Sequence, residues 1–134
     1  VFGELPFGNK TVKLELTGEQ ILAALENGFS QIETGGGRFP QVSGLTVVVD
    51  VNAPPGERVQ EVTAGGAPLD PAKTYTLATN DFMAAGGDGY TSFVGATNLV
   101  NAVDAVFMAT QVMDYIAAAG TVAPAVEGRI VLQQ

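Results

Sequence analysis

The sequence predicts an α+β domain in which antiparallel or mixed β-sheets pack against helices. Segments with strand patterning occur in runs, and segments with helical spacing lie between those runs. Apolar residues make up 46% of the 134 residues and charged residues only 15%, a composition typical of a chain with a buried core. No repeat or low-complexity linker interrupts the chain, so we predict one domain over residues 1–134.

The first predicted elements are a strand and a helix. Residues 1–10 have a turn-like pattern, and residues 11–16 (TVKLEL) alternate apolar and polar side chains as a half-buried strand does. Thr17 has the character of a helix N-cap, and Gln20 three residues later completes the pattern of a capping box. Apolar residues at helical spacing then predict an amphipathic helix over residues 18–32.

The middle of the chain predicts a group of three strands. Residues 45–51 (LTVVVDV) are rich in β-branched residues and predict a strand buried on both faces at its centre. The turn NAPPGE at 52–57 joins it to an alternating strand at 58–63, so these two strands should form an antiparallel hairpin. After the turn at residues 65–66, residues 74–79 (TYTLAT) predict the third strand of the group.

The C-terminal part predicts one long helix and one strand. Residues 99–119 carry apolar side chains close to one helical face and are rich in alanine, and Gly120 is a typical C-terminal stop. Residues 126–132 (VEGRIVL) predict a closing strand.

The charge and the missing residue types exclude several classes of function. Fourteen acidic against six basic residues give a net charge of −8, which argues against a nucleic-acid polymer as partner. No apolar run is long enough to span a membrane. The sequence has no cysteine and no histidine, so thiolate metal sites are excluded and the commonest general base is missing. The chain begins at Val1 without a signal peptide, as expected for a processed or excised piece.

The stretch TNDFMAAGGDGY at residues 79–90 has two interpretations. It is a turn with positive φ at each of the three glycines of GGDG, or it is a ligand-binding loop. In the second interpretation the glycines allow a ligand to approach the backbone and Phe82 stacks on a flat ring. Asp88 then accepts hydrogen bonds from a cis-diol, since an ionised carboxylate only accepts. From these residues alone, the turn is favoured.

Two further segments carry weaker signals. In LPFGN, Phe7 is either a hydrophobic staple or a second aromatic plate, and Asn9 is either part of a turn or a partner for the edge of a heterocycle. Asn9 also begins an N-glycosylation pattern, which competes with ligand binding and is discounted. The loop TGGGRF at 34–39 fits no phosphate-binding pattern, although one of its glycines could pack against a ligand. The aspartates elsewhere, Asp81 among them, are interpreted as solvated or turn residues.

Five segments in order resemble the C-terminal domain of the 5′-nucleotidases. This family of dinuclear-metal enzymes includes periplasmic UDP-sugar hydrolase and ecto-5′-nucleotidase. The segments are LPFGN (5–9), LTGEQILAALENG (16–28), GGRFPQVSGL (36–45), LDPAKTYTLATNDFMAAGGDGY (69–90) and PAVEGRI (124–130). Each motif alone is weak evidence for the family, but the five motifs occur in the same order as in the family and span almost the whole chain. The resemblance implies the fold of that C-terminal domain.

The resemblance also implies a role for five residues. In the family, the C-terminal domain holds the nucleoside of the substrate with its base between two phenylalanines, which match Phe7 and Phe82. Asn9 would contact the base, Asp88 would bind the ribose hydroxyls, and Gly37 would line the base pocket. The expected small-molecule partner is therefore a nucleotide or nucleoside.

The chemistry itself is implied to lie outside this chain. In the family, an N-terminal metallophosphoesterase domain binds two divalent metal ions and performs hydrolysis, and a GGGIR-like motif precedes the segments quoted above. We therefore expect no catalytic residue and no metal ligand in this chain, a partner in its own N-terminal domain, and no activity of the chain alone. The expected location is periplasmic, cell-surface or secreted.

Other readings remain open. The protein could be a related 2′,3′-cyclic phosphodiesterase, a UDP-sugar hydrolase or a sulfur-oxidation protein of similar architecture. It could also be a non-catalytic binding module that retains the fold.

Overall fold

Two β-sheets and three α-helices are formed by residues 1–101 and 103–134, which a computed structural model of the chain describes. The strands are β1 (Thr11–Thr17), β2 (Leu45–Asp50), β3 (Val59–Ala64), β4 (Ala67–Pro68), β5 (Thr74–Asn80), β6 (Thr97–Asn98) and β7 (Ile130–Gln133). The helices are α1 (Gly18–Phe29), α2 (Asp81–Ala84) and α3 (Met108–Ala119). The predicted α+β class with antiparallel and mixed sheets is confirmed.

The first sheet has the order β5-β1-β6 and is antiparallel throughout. Strand β1 alternates as its sequence predicts, and it buries Val12, Leu14 and Leu16 in the core. Strand β5 pairs with β1 along its whole length, from Thr74 opposite Thr17 to Asn80 opposite Thr11. The prediction that residues 74–79 join the hairpin as a third strand is therefore wrong. Periodicity identifies a strand, but it does not identify the partner of that strand.

The second sheet has the order β4-β3-β2-β7. The predicted antiparallel hairpin of β2 and β3 is confirmed, with a register shift between Val48 and Val49, and β7 lies parallel to β2. Val47 and Val49 are fully buried, whereas Val48 between them is half-buried, so the centre of β2 is more covered on one face than on the other. The closing strand begins at Ile130, later than predicted.

Helix α1 begins with the predicted capping box. The Thr17 side chain accepts from the backbone N–H of Gln20, and the Gln20 side chain accepts from the backbone N–H of Thr17 at 2.9 Å. The helix ends at Phe29, three residues earlier than predicted, and the chain continues into a short 3₁₀ turn at Ile32–Thr34. Ser30 accounts for this end, since its hydroxyl and its backbone N–H both donate to the carbonyl of Asn27.

Helix α3 begins at Met108, not at Leu99 as predicted; residue 102 of the predicted helix lies outside the described residues. The segment before α3 has one backbone bond of its own, from Asp104 to Asn101, and its ends are bonded to β1 and to the residues just before β1. The backbone N–H of Leu99 donates to Lys13 at 2.7 Å, and that of Met108 donates to Asn9 at 3.0 Å. Gly120 ends the helix as predicted, with a φ of 74°. Within the described ranges, none of the helices has the length and apolarity to cross a bilayer.

A buried arginine joins the end of α1 to the second sheet. Arg58 is only 2% exposed and donates to the carbonyls of Phe29 at 2.7 Å and Ala53 at 3.0 Å, as well as to the carboxylate of Glu33. The hydrogen bond from Arg58 lowers the pKa of the Glu33 carboxyl. The Glu26 carboxylate accepts from the backbone N–H groups of Arg58 and of the next residue. These bonds fix the last turns of α1 against β3.

Candidate functional site

The GGDG segment forms a tight loop directly after α2. The side chain of Asn80 caps α2 by accepting from the backbone N–H of Met83 at 2.7 Å. Beyond the helix, φ is 92° at Gly86 and 81° at Gly89, as the sequence predicts. The prediction of a positive φ at Gly87 is wrong. Asp88 takes the left-handed conformation instead, with a φ of 53°. Aspartate tolerates this region better than most residues do.

Phe82 lies directly against this loop. A Cβ atom on Gly87 would be 2.5 Å from two carbon atoms of the Phe82 ring, so only glycine allows the ring to approach the backbone here. The Phe82 side chain is nevertheless 51% exposed. The loop thus supports one part of the ring, and the rest remains open to a ligand.

Asp88 and Gly37 line a common cavity of about 360 Å³. Arg38 and Tyr90 also line this cavity, and Met83 and Met108 contribute apolar surface. The structure therefore brings together two predicted site residues that are 51 positions apart in the sequence. The cavity combines a carboxylate, a guanidinium group and apolar surface, which suits a polar ligand with a flat or apolar part.

Asn9 reaches the same region through a direct hydrogen bond to Asp81. Its Nδ2 donates to Oδ1 of Asp81 at 2.9 Å, and Asp81 immediately precedes Phe82. This bond is the main reason why the pKa of the Asp81 carboxyl lies below its usual value. Asp81 is half-buried and bound, so its interpretation as a solvated or turn residue was incomplete. Asn9 is thereby bonded to the residue before Phe82, although neither Asn9 nor Phe82 is among the described residues that line the cavity.

Phe7 is the predicted site residue for which the structure shows no contact with the other predicted site residues. Its side chain is 78% exposed, and the described cavity lining does not include it. Such exposure does not agree with a hydrophobic staple. Its role as the second plate around a base stays a prediction.

The family can be identified from the sequence of these same segments. Residues 1–95 match the family model described as "5′-nucleotidase, C-terminal domain". The chain belongs to this family. The resemblance predicted from the ordered motifs is confirmed.

Three relatives show how the 5′-nucleotidase C-terminal domain occurs in known proteins. The chain is 44% identical over 103 residues to the trifunctional nucleotide phosphoesterase protein YfkN of Bacillus subtilis, with 73% of this chain and 7% of YfkN covered. It is 36% identical over 135 residues to a snake venom 5′-nucleotidase of Crotalus adamanteus, with 95% and 23% covered. The crystal structure of a 5′-nucleotidase precursor from Thermus thermophilus matches with a TM-score of 0.90 and 42% identity, covering 98% of this chain and 26% of that one. The chain thus spans between 7% and 26% of the length of these relatives.

The site of this 5′-nucleotidase C-terminal domain is held together by three residues that the sequence did not single out: Asn27, Arg38 and Tyr90. Asn27 in the last turn of α1 donates from Nδ2 to the carbonyl of Asp88 at 3.0 Å and accepts from Nη1 of Arg38 at 3.2 Å. The phenol of Tyr90 donates to the carbonyl of Arg38 at 2.6 Å. A Cβ atom on Gly89 would lie 2.7 Å from Oδ1 of Asn27, which explains a glycine there. The only signal for Asn27 in the sequence is that it is a polar residue between the apolar residues Leu25 and Phe29 of α1.

Metal binding was predicted to lie outside this chain. Among the residues that the structure describes, no group of three or more acidic, histidine or cysteine side chains is placed to hold a metal ion. We therefore assign no chemical step to a metal bound by these residues.

We expect replacement of Tyr90 by phenylalanine to destabilise the domain by about 1 kcal/mol at pH 7, since the carbonyl of Arg38 loses its donor. Burial raises the pKa of Tyr90 from 10.0 to about 12, with a smaller contribution from the charge of Asp88, while Arg38 opposes the rise. A raised pKa stabilises the fold below pH 10, and this contribution is lost as the pH increases from 10 to 12.

Urea unfolding at pH 7, 10 and 11 measures both effects. The original protein should lose stability above pH 10 more steeply than Tyr90→Phe does. Tyr115→Phe is the control, because that tyrosine is 70% exposed. Equal slopes for the original protein and Tyr90→Phe would contradict the expectation.

Proposed function

We propose that this chain is the nucleoside-binding part of a 5′-nucleotidase-type phosphohydrolase that converts nucleotides to nucleoside and phosphate. The observation that carries the proposal is the loop in which Phe82 rests on Gly87, one residue before the left-handed Asp88. An aromatic ring in α2 and a carboxylate on the loop that follows it match the two chemically different halves of a nucleoside, the base and the ribose.

Each side chain has a physical role in this proposal. Stacking of a base on an aromatic ring contributes about 1–3 kcal/mol and tolerates different bases, so Phe82 gives affinity with little selectivity. The Asp88 carboxylate accepts from the two ribose hydroxyls, which are the donors that a cis-diol offers. Gly37 lines the same cavity as Asp88 and leaves room for the ligand, since no atom beyond its chain neighbours lies within 4 Å of the place where its Cβ would be.

Hydrolysis is assigned to a metallophosphoesterase domain of a longer protein. In this proposal two divalent metal ions of that domain supply the chemistry, and this chain alone is inactive. The residues described here bind the nucleoside and orient it so that the phosphate faces the catalytic domain, which lowers the entropic part of the barrier. The length of the relatives supports this division, because each of them is about four or more times longer than the matched region.

The substrate range is proposed to be broader than one nucleotide. The relative from Bacillus subtilis is named as a trifunctional nucleotide phosphoesterase, which supports a site that accepts related substrates. A profile of the longer protein with 5′-nucleotides, 2′,3′-cyclic nucleotides and UDP-sugars would decide among these classes. The venom origin of a relative supports a secreted, cell-surface or periplasmic location for the longer protein.

Replacement of Asp88 by glycine is expected to weaken adenosine binding about tenfold or more, because hydrogen bonds to a charged group contribute about 1.5–3 kcal/mol. Glycine suits the positive φ at this position, so the carboxylate is removed without backbone strain. Binding of 2′-deoxyadenosine should fall less, and the preference for ribose should shrink.

Calorimetry with adenosine and 2′-deoxyadenosine, in a protein that contains both domains, tests this role of Asp88. The matched control is Glu61→Gly, which removes an exposed carboxylate on β3. An unchanged ratio of the two affinities in Asp88→Gly would show that Asp88 does not bind the ribose. Failure of adenosine to bind the original protein would refute the proposed function itself.

A further inference from the structure

The hydrogen bond between Asn9 and Asp81 determines which atom of Asn9 is available to a ligand. A carboxamide has one acceptor oxygen and two donor N–H groups, whereas an ionised carboxylate only accepts. Nδ2 of Asn9 must therefore face Oδ1 of Asp81, where it lies at 2.9 Å. The amide oxygen of Asn9 is then directed away from Asp81.

The backbone holds both residues in this arrangement. The N–H of Asp81 donates to the carbonyl of Lys10 at 3.0 Å, so Asp81 bonds to two consecutive residues of the same segment. The carbonyl of Asn9 accepts from the N–H of Met108 at 3.0 Å. Asn9 is thus anchored by its main chain to the start of α3 and by its side chain to the start of α2, and its carboxamide cannot rotate without breaking the bond to Asp81.

We propose that Asp81 is a positioning residue for base recognition: it makes Asn9 present its amide oxygen to the base and so favours bases with an N–H donor at their edge. This inference rests on the proposed function and on the contact between Asn9 and the base that the family resemblance implies. It adds Asp81, a residue that has no direct contact with the ligand. It also specifies that Asn9 acts as a hydrogen-bond acceptor towards the base.

The proposed arrangement predicts a specific discrimination. Adenine offers the donor of its exocyclic amino group and hypoxanthine offers N1–H, whereas unsubstituted purine has only ring-nitrogen acceptors on that edge. A fixed oxygen on Asn9 binds the first two and faces unsubstituted purine without a donor. A carboxamide released from Asp81 can rotate and offer an N–H group instead, so the discrimination then disappears.

Calorimetry with adenosine and purine riboside tests the inference in a protein that contains both domains. The original protein should bind adenosine about tenfold more tightly than purine riboside, the change expected for one unmade hydrogen bond in a binding site. In Asp81→Ala this ratio should approach about one, as it should in Asn9→Ala. The double variant should show no further change in the ratio, because both substitutions remove the same recognition.

A matched control exists in an exposed pair outside the proposed site. Nδ2 of Asn101 donates to the carboxylate of Asp104 at 3.3 Å, so Asp104→Ala removes an exposed bond of the same kind, and it should leave the ratio unchanged. Asp81→Asn keeps the size of the side chain if the alanine variant folds poorly, and its ratio should lie between those of the original protein and Asn9→Ala.

The outcomes separate this inference from the proposed function. A ratio of one in the original protein, or an unchanged tenfold ratio in both Asp81 variants, would overturn the role of Asp81 while adenosine binding itself persists. If neither nucleoside binds the original protein, the proposed function fails and this inference fails with it.

Discussion

Replacement of Phe82 by alanine should weaken adenosine binding by about 1–3 kcal/mol, which corresponds to a factor of roughly 5 to 150 in the dissociation constant. The ring is half exposed and rests on Gly87, so it is already placed to stack before a ligand arrives. Phe7→Ala should have an effect of similar size if Phe7 covers the other face of the base. Together the two substitutions should weaken adenosine binding more than either substitution alone.

Isothermal calorimetry with adenosine or AMP, in a protein that contains both domains, measures these losses. Phe2→Ala is a suitable control, because Phe2 is another exposed phenylalanine near the N-terminus and has no part in the proposed site. Gly87→Ala tests independently whether binding depends on the position of the Phe82 ring, since the added methyl group must displace that ring. Unchanged affinity in both Phe82→Ala and Phe7→Ala would refute the stacking of the base.

Replacement of Arg58 by alanine should destabilise the domain by about 3 kcal/mol, because one buried and one partly buried carbonyl group lose their donor. These are the carbonyls of Phe29 and Ala53, and Arg58 itself is 2% exposed. Because the guanidinium group fixes the last turns of α1, its loss should also loosen the loop that Asn27 holds.

Urea unfolding followed by circular dichroism measures the change in stability, read from the midpoint and the slope. Arg129→Ala is the matched control, since Arg129 is an exposed arginine in a 3.5 Å ion pair with Glu127, and such surface pairs contribute about 0–1 kcal/mol. A loss no greater in Arg58→Ala than in Arg129→Ala would show that the carbonyls find other partners.

Local sequence patterns predicted the elements whose determinants lie close together in the chain. The capping box of Thr17 and Gln20, three residues apart, identified the start of α1, and Gly120 identified the end of α3. The start of α3 was missed because the segment from Leu99 bonds to β1, more than eighty residues earlier. The partner of β5 was missed for the same reason. Helical spacing describes one segment, and it carries no information about a distant strand that competes for the same backbone groups.

The site shows the same limit. The resemblance to a family predicted roles for Phe82 and Asp88, but neither composition nor spacing singled out Asp81, Asn27 or Tyr90. The hydrogen bonds of these residues join positions 72, 61 and 52 residues apart. A polar residue becomes a positioning residue only when the fold brings its partner close, so its role becomes visible only in three dimensions.

The hydrogen bonds of Asn27 have a further consequence for the entropy of ligand binding. The Asp88 loop and the segment with Gly37 and Arg38 are both attached to one turn of α1, and Tyr90 joins them a second time. The two walls of the cavity therefore keep their spacing when no ligand is bound. If the proposed function holds, a nucleoside that enters this cavity does not have to order a mobile loop, so more of the stacking and hydrogen-bonding energy is retained as affinity.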